Sequence, residues 1–254
     1  MRITFLGTGT SQGVPVIACN CPVCQSADTH DKRLRSSVLI EYKHKVLVID
    51  TGPDFRQQML RAKVKQLDAI LYTHEHKDHV AGLDDVRAFN YISQRPSDIY
   101  AEERVQQAIK QEYPYIFTER KYPGVPQVNM HQIDGQTFDI EDISIQPIRV
   151  IHYHLPVLGY RIADFTYITD ANFISDEEKK KMAGTKCLVI NGLRKQKHLS
   201  HFCLSEALEI IREINPQQAF ITHIGHQMGL YKDVQKELPP HVTLAYDGLT
   251  VDME

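Results

Sequence analysis

Residues 73–83, "THEHKDHVAGL", gather His74, His76, Asp78 and His79 into one short stretch. The stretch follows directly on "AILYT" (69–73), a short apolar run that reads as a strand buried on both faces. In an extended segment, residues two apart point the same way, so His74 and His76 can reach one metal ion. A turn after them would swing Asp78 and His79 toward a second ion. Imidazole and carboxylate suit zinc, manganese and iron, so the donors alone do not fix the metal. Their density at a strand end sets them apart from a polar loop that happens to be rich in histidine.

A second cluster, "ACNCPVCQS" (18–26), holds Cys19, Cys21 and Cys24. A closed structural zinc site usually has four protein ligands. The remaining cysteines, Cys187 and Cys203, lie far along the chain, so the fourth ligand is open at this point. The rival reading of three crowded thiols is a redox or reactive cluster. A disulfide framework would look different, because the five cysteines are odd in number and three of them crowd together. Cys187, in the apolar run "CLVIN" (187–191), reads as core packing, and Cys203, near a helix start, as incidental.

The elements that must position these residues alternate short apolar runs with amphipathic ones. Strands are expected at 2–7, 37–42, 45–50 and 69–73, the second and third joined as a hairpin. Further strands are expected at 143–151, 159–163, 165–169, 187–191, 219–223, 242–246 and 249–253. Helices are expected at 103–113 and 204–214, the latter from the stripe Leu204, Ala207, Leu208, Ile211 and Ile214. Residues 113–127, with three prolines and four aromatics, read as a loop or lid beside the site. The 254 residues carry no linker, repeat or low-complexity segment, so a single layered α/β domain over 1–254 is expected. The formal net charge of −3 lacks the basic excess of a dedicated nucleic-acid binder. "MRITFLGTGT" has no apolar run long enough for a signal peptide, and no stretch approaches a membrane span. The expectation is a cytoplasmic protein with no membrane partner.

H-x-H-x-D-H after a strand resembles the signature of the metallo-β-lactamase superfamily. The resemblance runs in order from the first strand to "AYDGLTV", and it implies the four-layer αββα sandwich, two mixed sheets face to face with helices outside. It also implies further ligands. A histidine at the end of a later strand is offered by "PIRVIHYHLPVLGY" (147–160), where His152 is the choice and His154 the alternative. "FTYITDAN" (165–172) supplies Asp170, and "AFITHIGHQ" (219–227) supplies His223. One ion would sit on His74, His76 and His152, the other on Asp78, His79 and His223, with Asp170 touching both. The cysteine loop resembles a branch that includes the phosphodiesterase of the bacterial carbon–phosphorus lyase pathway. There it binds a structural zinc with the second histidine of T-H-x-x-H. The resemblance thus assigns Cys19, Cys21, Cys24 and His226 to a structural Zn2+, pinning the loop 8–35, which is read as irregular, to the loop of His223.

The resemblance implies two catalytic divalent ions, Zn2+ or Mn2+, and a hydrolase acting on a small, cyclic phosphodiester. Two ions about 3.5–4 Å apart lower the pKa of water and clamp the oxygens of an in-line displacement. "KHLSHFCLSEAL" (197–208) resembles the family segment whose histidine protonates the leaving group, which points to His201, with His198 next in line. Arg194 is a candidate phosphate contact. The loop "GTGTSQG" (7–13) is read as shaping the chain rather than as a phosphate cradle. The rival enzymes are a nuclease resembling ribonuclease Z and a lactonase or thioesterase on the same fold. The non-enzyme rival is an inactive metal-binding scaffold, against which the complete ligand set argues. The expected partner is a small-molecule phosphodiester, nucleic acid is disfavoured, and a homodimer is compatible with the sequence.

Overall fold

The computed structural model describes residues 1–119 and 122–253. Residues 120 and 121, within the segment 113–127 expected as a lid, lie outside the described residues, as does residue 254. In chain order the elements begin β1 (Arg2–Gly7), α1 (Pro22–Gln25), β2 (Ser37–Tyr42), β3 (Lys45–Ile49), α2 (Phe55–Ala62), β4 (Ala69–Leu71) and α3 (Lys77–Val80). They continue α4 (Arg87–Ser93), β5 (Ser97–Ala101), α5 (Glu103–Glu112), β6 (Val128–Gln132), β7 (Phe138–Ile140), β8 (Ile143–His152) and β9 (Leu155–Ile162). The remainder is β10 (Phe165–Tyr167), β11 (Phe173–Ile174), α6 (Asp176–Lys181), β12 (Cys187–Asn191), α7 (Leu204–Ile214), β13 (Gln218–Thr222), α8 (Tyr231–Val234), β14 (Val242–Leu244) and β15 (Thr250–Asp252). None of the described helices is long and apolar enough to cross a membrane.

The chain forms two compact units. The first comprises Met1–Leu6, Ser37–Asp134 and Gly248–Glu254. Its sheet has the order β15-β1-β2-β3-β4-β5-β6, and β3 to β6 run parallel. The central strands are short apolar runs with no exposed residue, as strands covered on both faces must be. Phe55 from α2 and Val105 and Ile109 from α5 pack with Ile70, Tyr72 and Ile99 in one core, each nearly or fully inaccessible.

The second unit comprises Gly7–Ser36 and Gly135–Asp247. Its sheet has the order β11-β8-β9-β10-β12-β13-β14, with β7 added on β8, and β10, β12, β13 and β14 run parallel. Helix α7 spans the residues its apolar stripe predicts. It buries Leu204, Ala207 and Ile211, with Leu208 and Ile214 packed partly buried against the same core. It starts where the Glu206 carboxylate accepts the Cys203 backbone N–H at 2.9 Å, and stops at Asn215 in the left-handed region, before Pro216. Cys203 is therefore the residue before the first turn, a role that a cysteine does not advertise in sequence. The loop expected to be irregular over 8–35 holds the short helix α1 and one 3-10 turn at Thr29–Asp31. Gly9 bridges to both Arg35 and Ile224, so this loop is laid along the segment after β13.

In each unit the candidate site residues sit at the C-terminal ends of parallel strands. Asp50 follows β3 and His74 lies just beyond β4, while Asp170, Asn191 and His223 end or follow β10, β12 and β13. Asp50, Asp170 and His223 all adopt left-handed backbone, with φ of 63°, 51° and 55°. Such conformations cost about 1–3 kcal/mol each for residues with a Cβ and tend to collect at functional sites.

Candidate metal centres

In the first unit the chain leaves β4 extended through Thr73 and His74, then turns into α3, whose first turn carries Asp78 and His79. The predicted turn is thus present, and the rings of His74 and His76 lie 4.6 Å apart, those of His74 and His79 4.2 Å. His74 and His79 are fully buried, and Asp78 is half-buried. Asp50, the residue after β3, organises them. The buried Asp50 carboxylate accepts the Thr73 N–H and the Thr73 hydroxyl, each at 2.8 Å, and faces His79 Nδ1 at 2.7 Å. With Nδ1–H donating to Asp50, His79 presents Nε2 as a ligand atom, 3.1 Å from Asp78 Oδ2. Burial pushes the Asp50 carboxyl above its ordinary value, with His79 and the Thr73 donors opposing. Gly82 closes the turn. A Cβ there would lie 2.2 Å from the Gly52 carbonyl oxygen, so glycine lets Gly82 N–H reach Thr51 O at 2.8 Å while Thr51 N–H reaches His79 O.

In the second unit His152 is the last residue of β8. Its Nδ1–H donates to the Ser200 carbonyl at 2.7 Å, which leaves Nε2 as the ligand atom. Ligand atoms of His152, Asp170 and His201 lie within 4.8 Å of one another, whereas His154 is exposed beside Tyr153. His223 Nδ1 is 2.9 Å from Asp170 Oδ1, which also accepts the Thr169 hydroxyl at 2.7 Å. The His201 ring stacks on His223 at 4.8 Å and lies 4.5 Å from the His152 ring. Among the described residues the buried Nδ1 of His201 has no hydrogen-bond partner. Burial holds its imidazole down to about 3, with His223 and His152 pushing the same way and Asp170 opposing. His198, whose ring is 5.3 Å from that of His201, accepts the Ser200 N–H on Nδ1. Arg194 directs its guanidinium to the carbonyls of Gln196 and Lys197 and to Gln227, so it shapes the loop that carries His198.

The thiol cluster lies wholly within the second unit. Sγ of Cys19, Cys21 and Cys24 stand 3.3, 3.5 and 3.5 Å from His226 Nδ1. Tetrahedral zinc with bonds of about 2.3 Å to sulfur and 2.0–2.1 Å to nitrogen requires S···N edges of roughly 3.5 Å, so this donor set fits the ion. None of the cysteines is in a disulfide. The Cys24 N–H donates to Cys21 Sγ and helps to pull that thiol down to about 6, while burial pushes Cys24 up to about 11. Four protein donors leave no open position, which is the mark of a structural site. Cys187 stands apart in the core, pushed up to about 12 by burial.

Sequence reasoning missed Asp50, Asn191 and the Ser200 carbonyl. Asp50 and Asn191 share one faint signal, a polar residue closing an otherwise apolar parallel strand. The Ser200 carbonyl had none, since a backbone acceptor leaves no trace in residue type.

Comparison with known proteins identifies the family. A family model described as a β-lactamase superfamily domain matches residues 45–224. Octanoyltransferase of Porphyromonas gingivalis is 41% identical over 252 residues, covering 98% of this chain and 51% of that protein. Ribonuclease Z of Acaryochloris marina is 29% identical over 170 residues, covering 65% of this chain and 48% of its own. The chain thus spans about half the length of these curated relatives. The crystal structure of a diphosphatase from the PhnP family superimposes with a TM-score of 0.93 at 37% identity, covering 100% of this chain and 98% of that one. The chain has the metallo-β-lactamase fold and belongs to the metallo-β-lactamase superfamily.

Proposed function

We propose that the chain is a dinuclear metal-dependent hydrolase acting on a small phosphodiester, cyclic diesters included. Following the superfamily pattern, His74, His76 and His152 would hold one divalent ion and Asp78, His79 and His223 the other, with Asp170 shared. Zn2+ or Mn2+ suits these imidazole and carboxylate donors. Cys19, Cys21, Cys24 and His226 would hold one structural Zn2+. When bound, the catalytic pair would supply Lewis acidity toward phosphoryl oxygens and a nucleophile at neutral pH. The observation that carries the choice of phosphorus chemistry is the 37% identity, over the whole chain, to a PhnP-family diphosphatase.

The chain's own residues then have distinct tasks. Asp50 and the Ser200 carbonyl fix the rings of His79 and His152 in the ligating tautomer. His201 is the proposed proton donor to the leaving alkoxide. Burial pushes its imidazole down to about 3, favouring the neutral form. A phosphodiester anion against the ring favours its charged form, and the donor role requires that rise. The test compares His201→Ala on an alkyl phosphodiester and on a nitrophenyl phosphodiester. A positioned acid contributes on the order of 10²–10⁴ for a poor leaving group, and much less for a phenolate. Equal losses on both substrates with metal content intact would reassign His201 to substrate binding.

A thioesterase or lactonase on the same fold is the second reading, and the octanoyltransferase relative, of which this chain covers 51%, is the reason an octanoyl thioester joins the panel. The ribonuclease Z relatives keep a nuclease reading in the panel, although a net charge of −3 disfavours a polyanion. Assay of the metal-loaded protein on cyclic and linear phosphodiesters, an octanoyl thioester and a precursor tRNA separates the three. Turnover of the thioester alone would overturn the phosphodiester reading.

A further inference from the structure

One fully buried side chain outside both ligand sets touches the backbone that carries Asp170 and His201. Asn191 closes β12, and its amide reaches the residue directly after Asp170. Asn191 Oδ1 accepts the Ala171 N–H at 2.9 Å, and Asn191 Nδ2 donates to the Ala171 carbonyl at 2.9 Å. A single planar amide thus meets both polar backbone atoms of Ala171. The same Ala171 carbonyl accepts a second donor, the Phe202 N–H, at 2.6 Å, and Phe202 directly follows His201. Asn191 and Ala171 are both fully inaccessible to solvent.

The arrangement has a specific mechanical content. Asp170 is held in left-handed backbone at φ 51°, a conformation that persists only where its surroundings over-determine it. On the near side, Thr169 donates its hydroxyl to the Asp170 carboxylate at 2.7 Å. On the far side, the chain is fixed at Ala171 by Asn191 and at Asn172 by a 2.8 Å bond from its N–H to the Ile151 carbonyl, next to His152. Neither aspartate nor leucine reproduces this. Aspartate keeps the acceptor but loses the donor and brings a charge into a dry site. Leucine of similar volume leaves the Ala171 N–H without its partner.

We infer that Asn191 is a positioning residue which sets Asp170 and His201 relative to each other through Ala171, and so tunes how tightly the Asp170 cluster holds its metal. The inference rests on the metal-hydrolase reading above, but it concerns the ligand cage rather than the substrate. A residue that only completes the core would lower stability and leave metal affinity alone. One that positions Asp170 weakens the ion held there while the fold persists. Outer partners of metal ligands typically count for 10–100-fold in affinity or activity.

The experiment uses Asn191→Asp and Asn191→Leu in the full chain. Each is titrated with Co2+ after partial stripping, and the visible spectrum is followed together with Tm. The expected result is a 10–100-fold weaker Co2+ affinity at the catalytic donors and an altered Co2+ spectrum, with the cysteine site still filled. For Asn191→Asp, Tm should fall, because a charge enters a dry site, but the protein should stay folded at the assay temperature. On any substrate that the parent turns over, kcat should fall while KM changes little. Unchanged Co2+ affinity and spectrum in a folded Asn191→Asp would overturn the inference, as would a loss of Tm with affinity intact. Failure of the parent to cleave phosphodiesters would count against the proposed function alone, because the Co2+ readout needs no substrate.

Discussion

Replacing Asp50 by asparagine changes one atom in a buried site, and the consequence can be worked out from three distances. Asp50 Oδ1 accepts the Thr73 N–H at 2.8 Å, and Oδ2 faces the Thr73 hydroxyl at 2.8 Å and His79 Nδ1 at 2.7 Å. An amide can be placed two ways. If its oxygen stays on the Thr73 N–H, its NH2 points at His79 Nδ1, and the imidazole proton must move to Nε2, the nitrogen proposed to bind metal. If the amide flips, its NH2 faces the Thr73 N–H, donor against donor. In the first placement His79 loses its ligating tautomer, and in the second a buried donor loses its acceptor, at a cost of about 1–3 kcal/mol. All three residues are fully buried, so solvent offers no relief. At 1.4 kcal/mol per decade, that range converts to roughly 5–150-fold in metal affinity. Asp50→Ala would strip three donors at once, and its loss of folding would obscure the reading. The assay is competition of the Asp50→Asn protein with a chromophoric chelator for Zn2+ or Mn2+, alongside turnover of a phosphodiester. Affinity and turnover both within twofold of the parent would refute the argument that Asp50 fixes the His79 tautomer.

Asp170→Ala should weaken or empty the catalytic pair while leaving the thiol cluster loaded, so elemental analysis should show loss at one kind of site alone. Cys21→Ser should do the reverse. Metal leaves the thiol cluster, and Tm falls by several degrees, since each kcal/mol shifts Tm by about 2–4 °C in a chain of this size. Turnover would change only as a secondary effect, and a Cys21→Ser protein of unchanged Tm that has lost all turnover would remove the structural reading of that cluster. Ile211→Ala, in the buried stripe of α7, should cost about 2–5 kcal/mol in a denaturant titration without altering metal stoichiometry.

What could be read in sequence was what is local. His74, His76, Asp78 and His79 are legible because one strand end and one turn present all four. Helix α7 is legible because Leu204, Ala207 and Ile211 repeat at helical spacing along an apolar face. β5 and β6 were missed because "SDIYA" and "VNMHQ" mix polar with apolar residues, and β5 is a strand through its pairing with both β4 and β6. Helices α2 and α4 were missed for a related reason. Only Phe55, Gln58 and Met59 of α2 and Phe89 and Asn90 of α4 are buried, too few to set a stripe apart from a loop. Asp50 and Asn191 were missed because their partners are remote. Asp50 meets His79 across 29 positions and Asn191 meets Ala171 across 20, and a lone polar residue after an apolar strand does not say what it will face. Left-handed backbone at Asp170 and His223 is likewise invisible, since neither residue type demands it.

The thiol cluster has a consequence in time. Cys21 meets His226 across 205 positions, so during synthesis the three thiols emerge long before their fourth partner. At about 5–20 residues per second, that interval is roughly 10–40 s. Through it, Cys19, Cys21 and Cys24 are an incomplete cage, open to oxidants and to competing soft metals. On the zinc assignment proposed above, His226 closes a cage that residues 19–24 leave open, and zinc supply during translation becomes a determinant of yield.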